Sequence, residues 1–260
     1  MKVKYSVVQE RRNNIMILLQ KLGKIDVDTL AYEFNVSAIT IRRDLQNWED
    51  LGAVARFHGG AKLVQSMVDL ENDNMTNEKY KHAIAKFAAQ YIEDGDTIFI
   101  NTSSTALLVI QYIVNKRVVA VTNNAKALLL KYDPLISIVL TGGEVRNPKE
   151  SLVGDFAISA IKKVSANKCF LGCSGITSKD GLTTSIMQES SINEAMMDRT
   201  TGPKFILCDY TKVGNKHSVS YGNVRDIDYL ITDINADDEE LDNIKDMNVE
   251  VVKLKPLMQI

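Results

Sequence analysis

Hydroxyls, amides, glycines and one lysine recur in this sequence at one kind of place, directly after short apolar runs rich in β-branched residues. Asn101, Thr102, Ser103, Ser104 and Thr105 follow TIFI; Thr122 and Asn123 follow VVAV; Gly142 and Gly143 come just after ISIVL; Gly172 and Gly175 flank the end of KCFLG; Asp209 and Lys212 follow KFILC. Groups of this kind bind anions. A phosphate monoester carries about −1.5 to −2 charges at neutral pH, and its site needs oriented donors and a cation. Each segment alone also reads as a cap or a turn. Their recurrence at successive strand ends points to one shared site, because ligands of open α/β sheets bind outside the carboxyl ends of the strands. The first segment also opens a helix, whose dipole and free amides favour an anion.

The elements that must position these residues follow from periodicity. HAIAKFAAQYI, TALLVIQYI and AKALLLKY read as helices, while TIFI, VVAV, ISIVL, KCFLG, KFILC and DYLIT read as strands covered on both faces. Their alternation predicts an α/β domain with a mainly parallel sheet. A chain of 260 residues with 45% hydrophobic content can bury such a domain and a smaller one beside it. No apolar run reaches the ~18 residues of a membrane span, and the start lacks the apolar core of a signal peptide, so cytoplasm is the expected compartment. Cys169, Cys173 and Cys208 have no zinc-type spacing and sit in or beside apolar runs, as buried thiols do. With three scattered histidines, no metal or cofactor is expected.

Charge divides the chain. Residues 1–64 hold ten Lys and Arg against seven Asp and Glu, a net +3, and the rest hold 21 against 26, a net −5. A basic end on an acidic body suits a segment that meets a polyanion. Ile15, Leu18, Leu19 and Leu22 mark a first helix ended by Gly23, and Asp26 is placed to cap a second with the stripe Val27, Leu30, Ala31 and Phe34. After a three-residue turn, Ser37 can cap a third. On that helix Ala38, Ile41, Leu45, Trp48 and Leu51 share the inward side, while Ile39, Thr40, Arg43, Gln46 and Asn47 lie opposite with Arg42 on the flank. Thr, Arg, Asn and Gln suit phosphates and base edges better than a merely wet surface does. The run AVARFHGGAKLV then reads as a two-stranded wing carrying Arg56, His58 and Lys62. Residues 65–78, rich in acid and asparagine, read as a linker between a 1–64 head and a 79–260 body.

The motif VS..TIRRDL followed by R.HGGA resembles the N-terminal winged helix-turn-helix of DeoR-family transcriptional regulators. The resemblance places Ser37, Thr40, Arg42 and Arg43 in the recognition helix and Arg56 and His58 in the wing. It leaves Ile39 either on a thymine methyl or in ordinary helix-start packing. The strand-end segments resemble that family's effector domain, whose fold is similar to ribose-5-phosphate isomerase and the CoA transferases. Glu189 fits the family's acidic position, and the pairs Thr122-Asn123, Gly142-Gly143 and Asp209-Lys212 match. Asn101 stands where an acid is usual, Ser103 where a glycine is usual, and Asn193 where a basic residue is usual.

The resemblance implies a DNA-binding regulator, a repressor of carbohydrate genes, released when a phosphorylated sugar or related anionic metabolite binds. Useful affinity for an operator further implies a homo-oligomer, a dimer or tetramer, on repeated half-sites. Two other readings stay open: a sugar-phosphate isomerase or acyl-transferring enzyme with a DNA-binding head, using Glu189 as base and Lys212 as electrophile, and a constitutive DNA-binding protein with a degenerate pocket, a reading that the departures at Asn101, Ser103 and Asn193 support.

Overall fold

Gly23 takes φ +73° and ends α1 (Tyr5–Leu22) where the sequence places a stop. The chain, described at residues 5–50, 54–57, 59–63, 66–146 and 150–258 by a computed structural model, has one unit over Met1–Met75 and a second over Thr76–Ile260. In the first, α1 is followed by β1 (Lys24–Asp26), α2 (Val27–Glu33), α3 (Ala38–Asp50), β2 (Val54–Phe57) and β3 (Gly60–Leu63). Ile15, Leu19, Leu30, Ile41 and Leu45 are wholly buried in its core. The wing has a third strand that periodicity does not reveal, since β1 pairs antiparallel with β3. That strand takes Asp26, which pairs with Gly60 and makes no side-chain cap hydrogen bond to α2. Ser37 does cap, its Oγ accepting from the Thr40 amide at 3.2 Å.

Residues 66–78 of the stretch read as a linker are helical, in α4 (Ser66–Ala88), and the boundary between units falls inside that helix. Asp, Glu and Asn spread around a helix leave no apolar stripe for periodicity to detect.

The second unit continues with β4 (Thr97–Ile100), α5 (Ser104–Leu108), β5 (Val118–Thr122), β6 (Ile136–Leu140), β7 (Glu144–Arg146), β8 (Ser151–Val153) and α6 (Asp155–Lys162). Then come β9 (Lys168–Leu171), β10 (Gly175–Thr177), β11 (Gly181–Thr184), α7 (Met187–Asp198), β12 (Lys204–Leu207), β13 (Val219–Gly222), β14 (Tyr229–Asp233), α8 (Asp238–Lys245) and β15 (Glu250–Leu254). Seven parallel strands form the main sheet in the order β15-β14-β12-β9-β4-β5-β6. Alternate residues feed opposite cores. Phe99, Cys169, Leu171 and Ile206 pack with Ala157, Ile161, Ile192, Met196, Leu241 and Ile244 from α6, α7 and α8. Ile98, Ile100, Phe170, Phe205 and Leu207 pack with Ile84, Ala85, Ala88 and Leu107 from α4 and α5. Both faces of the central strands β4, β9 and β12 are covered, which is why they read as near-continuous apolar runs. Register brings Phe170, Phe205 and Tyr229 into a cross-strand stack with centroids 4.7 and 4.6 Å apart.

Three features escape the sequence reading. β15 is an edge strand whose Glu250 and Lys253 break its apolar run, Gly142 and Gly143 turn the chain into a β7–β8 hairpin, and β10, β11 and β13 make a small antiparallel sheet. AKALLLKY holds only a 3-10 turn, with Leu128 and Leu129 exposed.

Candidate functional site

The order of the sheet fixes where a ligand fits. From β4 the chain builds outward through β5 and β6, then returns to place β9 on the other side of β4. The carboxyl ends of β4 and β9 therefore open the crevice that such a reversal creates. Asn101 and Gly172 stand at those two ends. A cavity of about 470 Å³ lies there, lined by residues that include Asn101 to Thr105, Gly172, Glu189, Asn193, Asp209 and Lys212.

Asn101 ties the crevice floor. Its Oδ1 accepts from the Gly172 amide at 3.0 Å and the Ser103 amide at 3.2 Å, and its Nδ2 donates to the Gly172 carbonyl at 2.8 Å and to Asn193 Oδ1 at 3.0 Å. Asn101 and Asn193, two of the departures noted above, thus touch each other, both buried. Two neutral amides share one hydrogen bond there. Ser103 occupies the N-cap of α5, its Oγ accepting from the Ala106 amide at 3.3 Å, so a residue other than glycine has its own structural use there.

A carboxylate at position 101 has no N–H for Gly172 or Asn193. Asn101→Asp is therefore expected to lower stability by about 1–3 kcal/mol, the usual cost of stranding buried polar groups. Adding Asn193→Arg should recover part of that loss. Thermal unfolding of the single and double variants checks it, and additive losses would remove the coupling.

Asp209 spends a carboxylate oxygen on its own turn, accepting from the Thr211 amide at 3.0 Å and from the Thr211 hydroxyl. That turn carries Lys212, half-buried, to the cavity. Lys81 from α4, Lys126 from the turn after β5, and His217, whose Nε2 lies 3.1 Å from the Ser174 carbonyl, also line it. None of these three belongs to a strand-end motif, although Lys126 stands only three residues beyond Asn123. Ser174 and Thr184 line it too.

Five expected residues lie elsewhere. Thr122 Oγ1 accepts from the Asn124 amide at 3.1 Å, and Asn123 Nδ2 donates to the Leu152 carbonyl at 3.1 Å, so both are spent on the chain itself while Asn124 reaches the cavity. Gly142 and Gly143, at φ +69° and +111°, make the turn from β6 into β7, and Gly175 packs against the Asn215 carbonyl.

In the first unit, Arg42 and Arg43 are exposed on α3, Ile39 is 71% exposed, and Thr40 Oγ1 lies 2.9 Å from Ser37 Oγ. Lys62 is exposed on β3, and Arg56 is in β2. His58 lies outside the described residues. Asp44, on the inner side of α3 and 2% exposed, accepts from Arg11 Nε at 2.7 Å and Arg12 Nε at 3.0 Å. Two of the basic residues at this end are therefore tied to one carboxylate within the fold, which offsets one of their two charges. Arg42 and Arg43 are left to face outward. Arg43→Ala is expected to cost about 1–3 kcal/mol in operator binding and to relax base preference, whereas Arg42→Ala should weaken specific and non-specific DNA alike. Binding titrations at fixed salt check this, and unchanged affinity in both variants would remove the recognition-helix assignment.

Among the described residues no helix is long and apolar enough to cross a membrane, and no group of three or more His, Cys, Asp or Glu is placed to hold a metal. Comparison with known proteins adds the lineage. Residues 11–67 match the DeoR-like helix-turn-helix domain, and residues 76–234 match the DeoR C-terminal sensor domain. The chain is 36% identical over 230 residues to the HTH-type transcriptional regulator GolR of Listeria innocua, covering 86% of this chain and 90% of that one. It is 31% identical over 252 residues to the lactose phosphotransferase system repressor of Staphylococcus aureus, covering 94% and 98%. A ribose 5-phosphate isomerase from Methanocaldococcus jannaschii shares 18% identity at a TM-score of 0.37, over 52% of this chain and 54% of that one. With a winged helix-turn-helix in front of a sensor domain along nearly its whole length, the chain belongs to the DeoR family of DNA-binding transcriptional regulators.

Proposed function

We infer that this regulator represses carbohydrate-metabolism genes and that a phosphorylated sugar, or a related anionic metabolite, releases it from its operator. One observation carries the reading. The cavity at the β4–β9 crevice gathers hydroxyls, amides and Lys212 on the same chain as a DNA-binding head. The relatives' names point the same way, since one is a lactose phosphotransferase system repressor. Residues 1–64 supply DNA binding, and 79–260 supply sensing and oligomerisation. Ser37, Thr40, Arg42, Arg43, Arg56, His58 and Lys62 are the operator-binding residues, with Ile39 beside Thr40 on α3. Asn101 to Thr105, Gly172, Glu189, Asp209 and Lys212 form the effector site. Two heads on repeated half-sites require at least a dimer.

Release works by linkage. An effector that prefers the conformation with misplaced heads weakens operator binding by its differential affinity for the two states. A panel of sugar phosphates tested for thermal stabilisation, with turnover followed in the same samples, checks the reading. A stabilising ligand that also releases labelled operator supports it. Turnover would support the enzyme instead, and stabilisation by none of the panel would leave a constitutive DNA-binding protein.

A further inference from the structure

Cys173 and Cys208 stand side by side on the cavity wall, and the effector reading makes no use of either. β9 and β12 are neighbouring parallel strands whose last paired residues are Leu171 and Ile206. One step on, a Cβ on Gly172 would lie 3.3 Å from the Leu207 carbonyl oxygen, so the two chains stay adjacent past the ladder. The next pair in that register is Cys173 and Cys208. Adjacent strands lie about 4.8 Å apart, inside the roughly 4.4–6.8 Å between Cα atoms that a disulfide spans. Both thiols are free and both line the cavity, with Cys173 packed against the core cluster that holds Cys208. Cys169, on β9 four residues before Cys173 but fully buried and not among the cavity-lining residues, has its thiol pushed up to about 12 by burial and serves as an internal control.

We propose that Cys173 and Cys208 are a redox modification site, closed to an intramolecular disulfide by small disulfides that enter the cavity. Cys173, half-buried and accessible from the cavity, attacks as thiolate one sulfur of R–S–S–R. A mixed disulfide forms at Cys173 and one thiolate leaves. Cys208 then gives its proton to solvent, and its sulfur attacks the Cys173 sulfur, releasing the second thiolate. Two protein thiols are oxidised to one disulfide, and the reagent is reduced to two thiols. In the reduced protein the neighbouring Cys173 thiol, and then burial, push the Cys208 thiol well above its ordinary range, and burial persists once Cys173 carries the mixed disulfide. Ring closure therefore speeds up as pH rises, by about tenfold per unit while the thiolate is the minor form. Nothing in this chemistry depends on the identity of the effector.

The test uses the full-length reduced protein and 2-hydroxyethyl disulfide, with acid quenching, denaturation, alkylation of remaining thiols by iodoacetamide and peptide mapping by mass spectrometry. The expected result is a linked peptide joining Cys173 to Cys208, reopened by dithiothreitol, with Cys169 alkylated throughout. Cys208→Ser, and equally Cys208→Ala, should stop at a mercaptoethanol adduct on Cys173. Cys173→Ser should remain unmodified. A wild-type protein that holds the adduct on Cys173 while Cys208 is still alkylated overturns the proposal. So do Cys173 links between chains, or two unmodified thiols under conditions that oxidise a small control thiol.

Discussion

Asp44→Asn is expected to cost the N-terminal unit about 2–4 kcal/mol. The carboxylate is 3% exposed and answers two guanidinium groups whose side chains are 12% and 18% exposed. Removing one member of a buried ionic cluster usually costs ~3–5 kcal/mol, and the residual water around both arginines trims that figure. An amide can accept from one arginine but cancels neither charge. A unit of this size has only ~3–10 kcal/mol of stability, at ~0.05–0.15 kcal/mol per residue, so the loss is a large share of the total. Hydrogen exchange across α1 and α3 should rise and operator affinity should fall, while ligand stabilisation of the second unit is unchanged. Replacing Arg11, Arg12 and Asp44 together by apolar residues of similar volume should restore much of the protection, since the cluster is costly only when half-dismantled. Wild-type exchange in Asp44→Asn would mean that the contacts contribute nothing to the fold.

Lys212→Ala should leave a repressor that no longer responds to its effector. A charge-assisted hydrogen bond to phosphate is worth about 1.5–3 kcal/mol, or roughly 10- to 150-fold in affinity at 1.4 kcal/mol per decade. Lys212 rides on a turn braced by Asp209, so its loss removes a cation without disturbing the strand beneath. Ligand-free operator binding should be nearly intact, because reciprocal linkage acts only when the ligand binds. Ser104→Ala, at an exposed position on the cavity rim, should weaken the ligand less, by about 0.5–1.5 kcal/mol. Release of labelled operator during effector titration measures both. A wild-type response from Lys212→Ala would place the anion elsewhere or show that none is recognised.

Where local pattern and tertiary environment agree, the amino-acid sequence was sufficient. TIFI, VVAV, ISIVL, KCFLG, KFILC and DYLIT are strands because inner strands covered on both faces want a largely apolar run, while the edge strand ISIVL carries enough β-branched residues to be seen. The face of α3 was legible for the same reason, with Ile41 and Leu45 buried and Arg42 and Arg43 outside. Strand order was not legible, because nothing local says that β9 returns to the far side of β4. That return decides which strand ends share the cavity. It explains why the segment after β4 lines the cavity while Gly142 and Gly143, placed alike in sequence after β6, turn the chain into β7 instead. Lys81, Lys126 and His217 arrive from separate elements and carry no common spacing. Contacts such as Asp44 with Arg11 and Arg12, Asn101 with Asn193, and Cys173 beside Cys208 join residues 32 to 92 positions apart or lie across adjacent strands. Periodicity reports which side of an element is apolar, but it cannot report which buried polar groups meet, and that meeting is what tertiary packing alone decides.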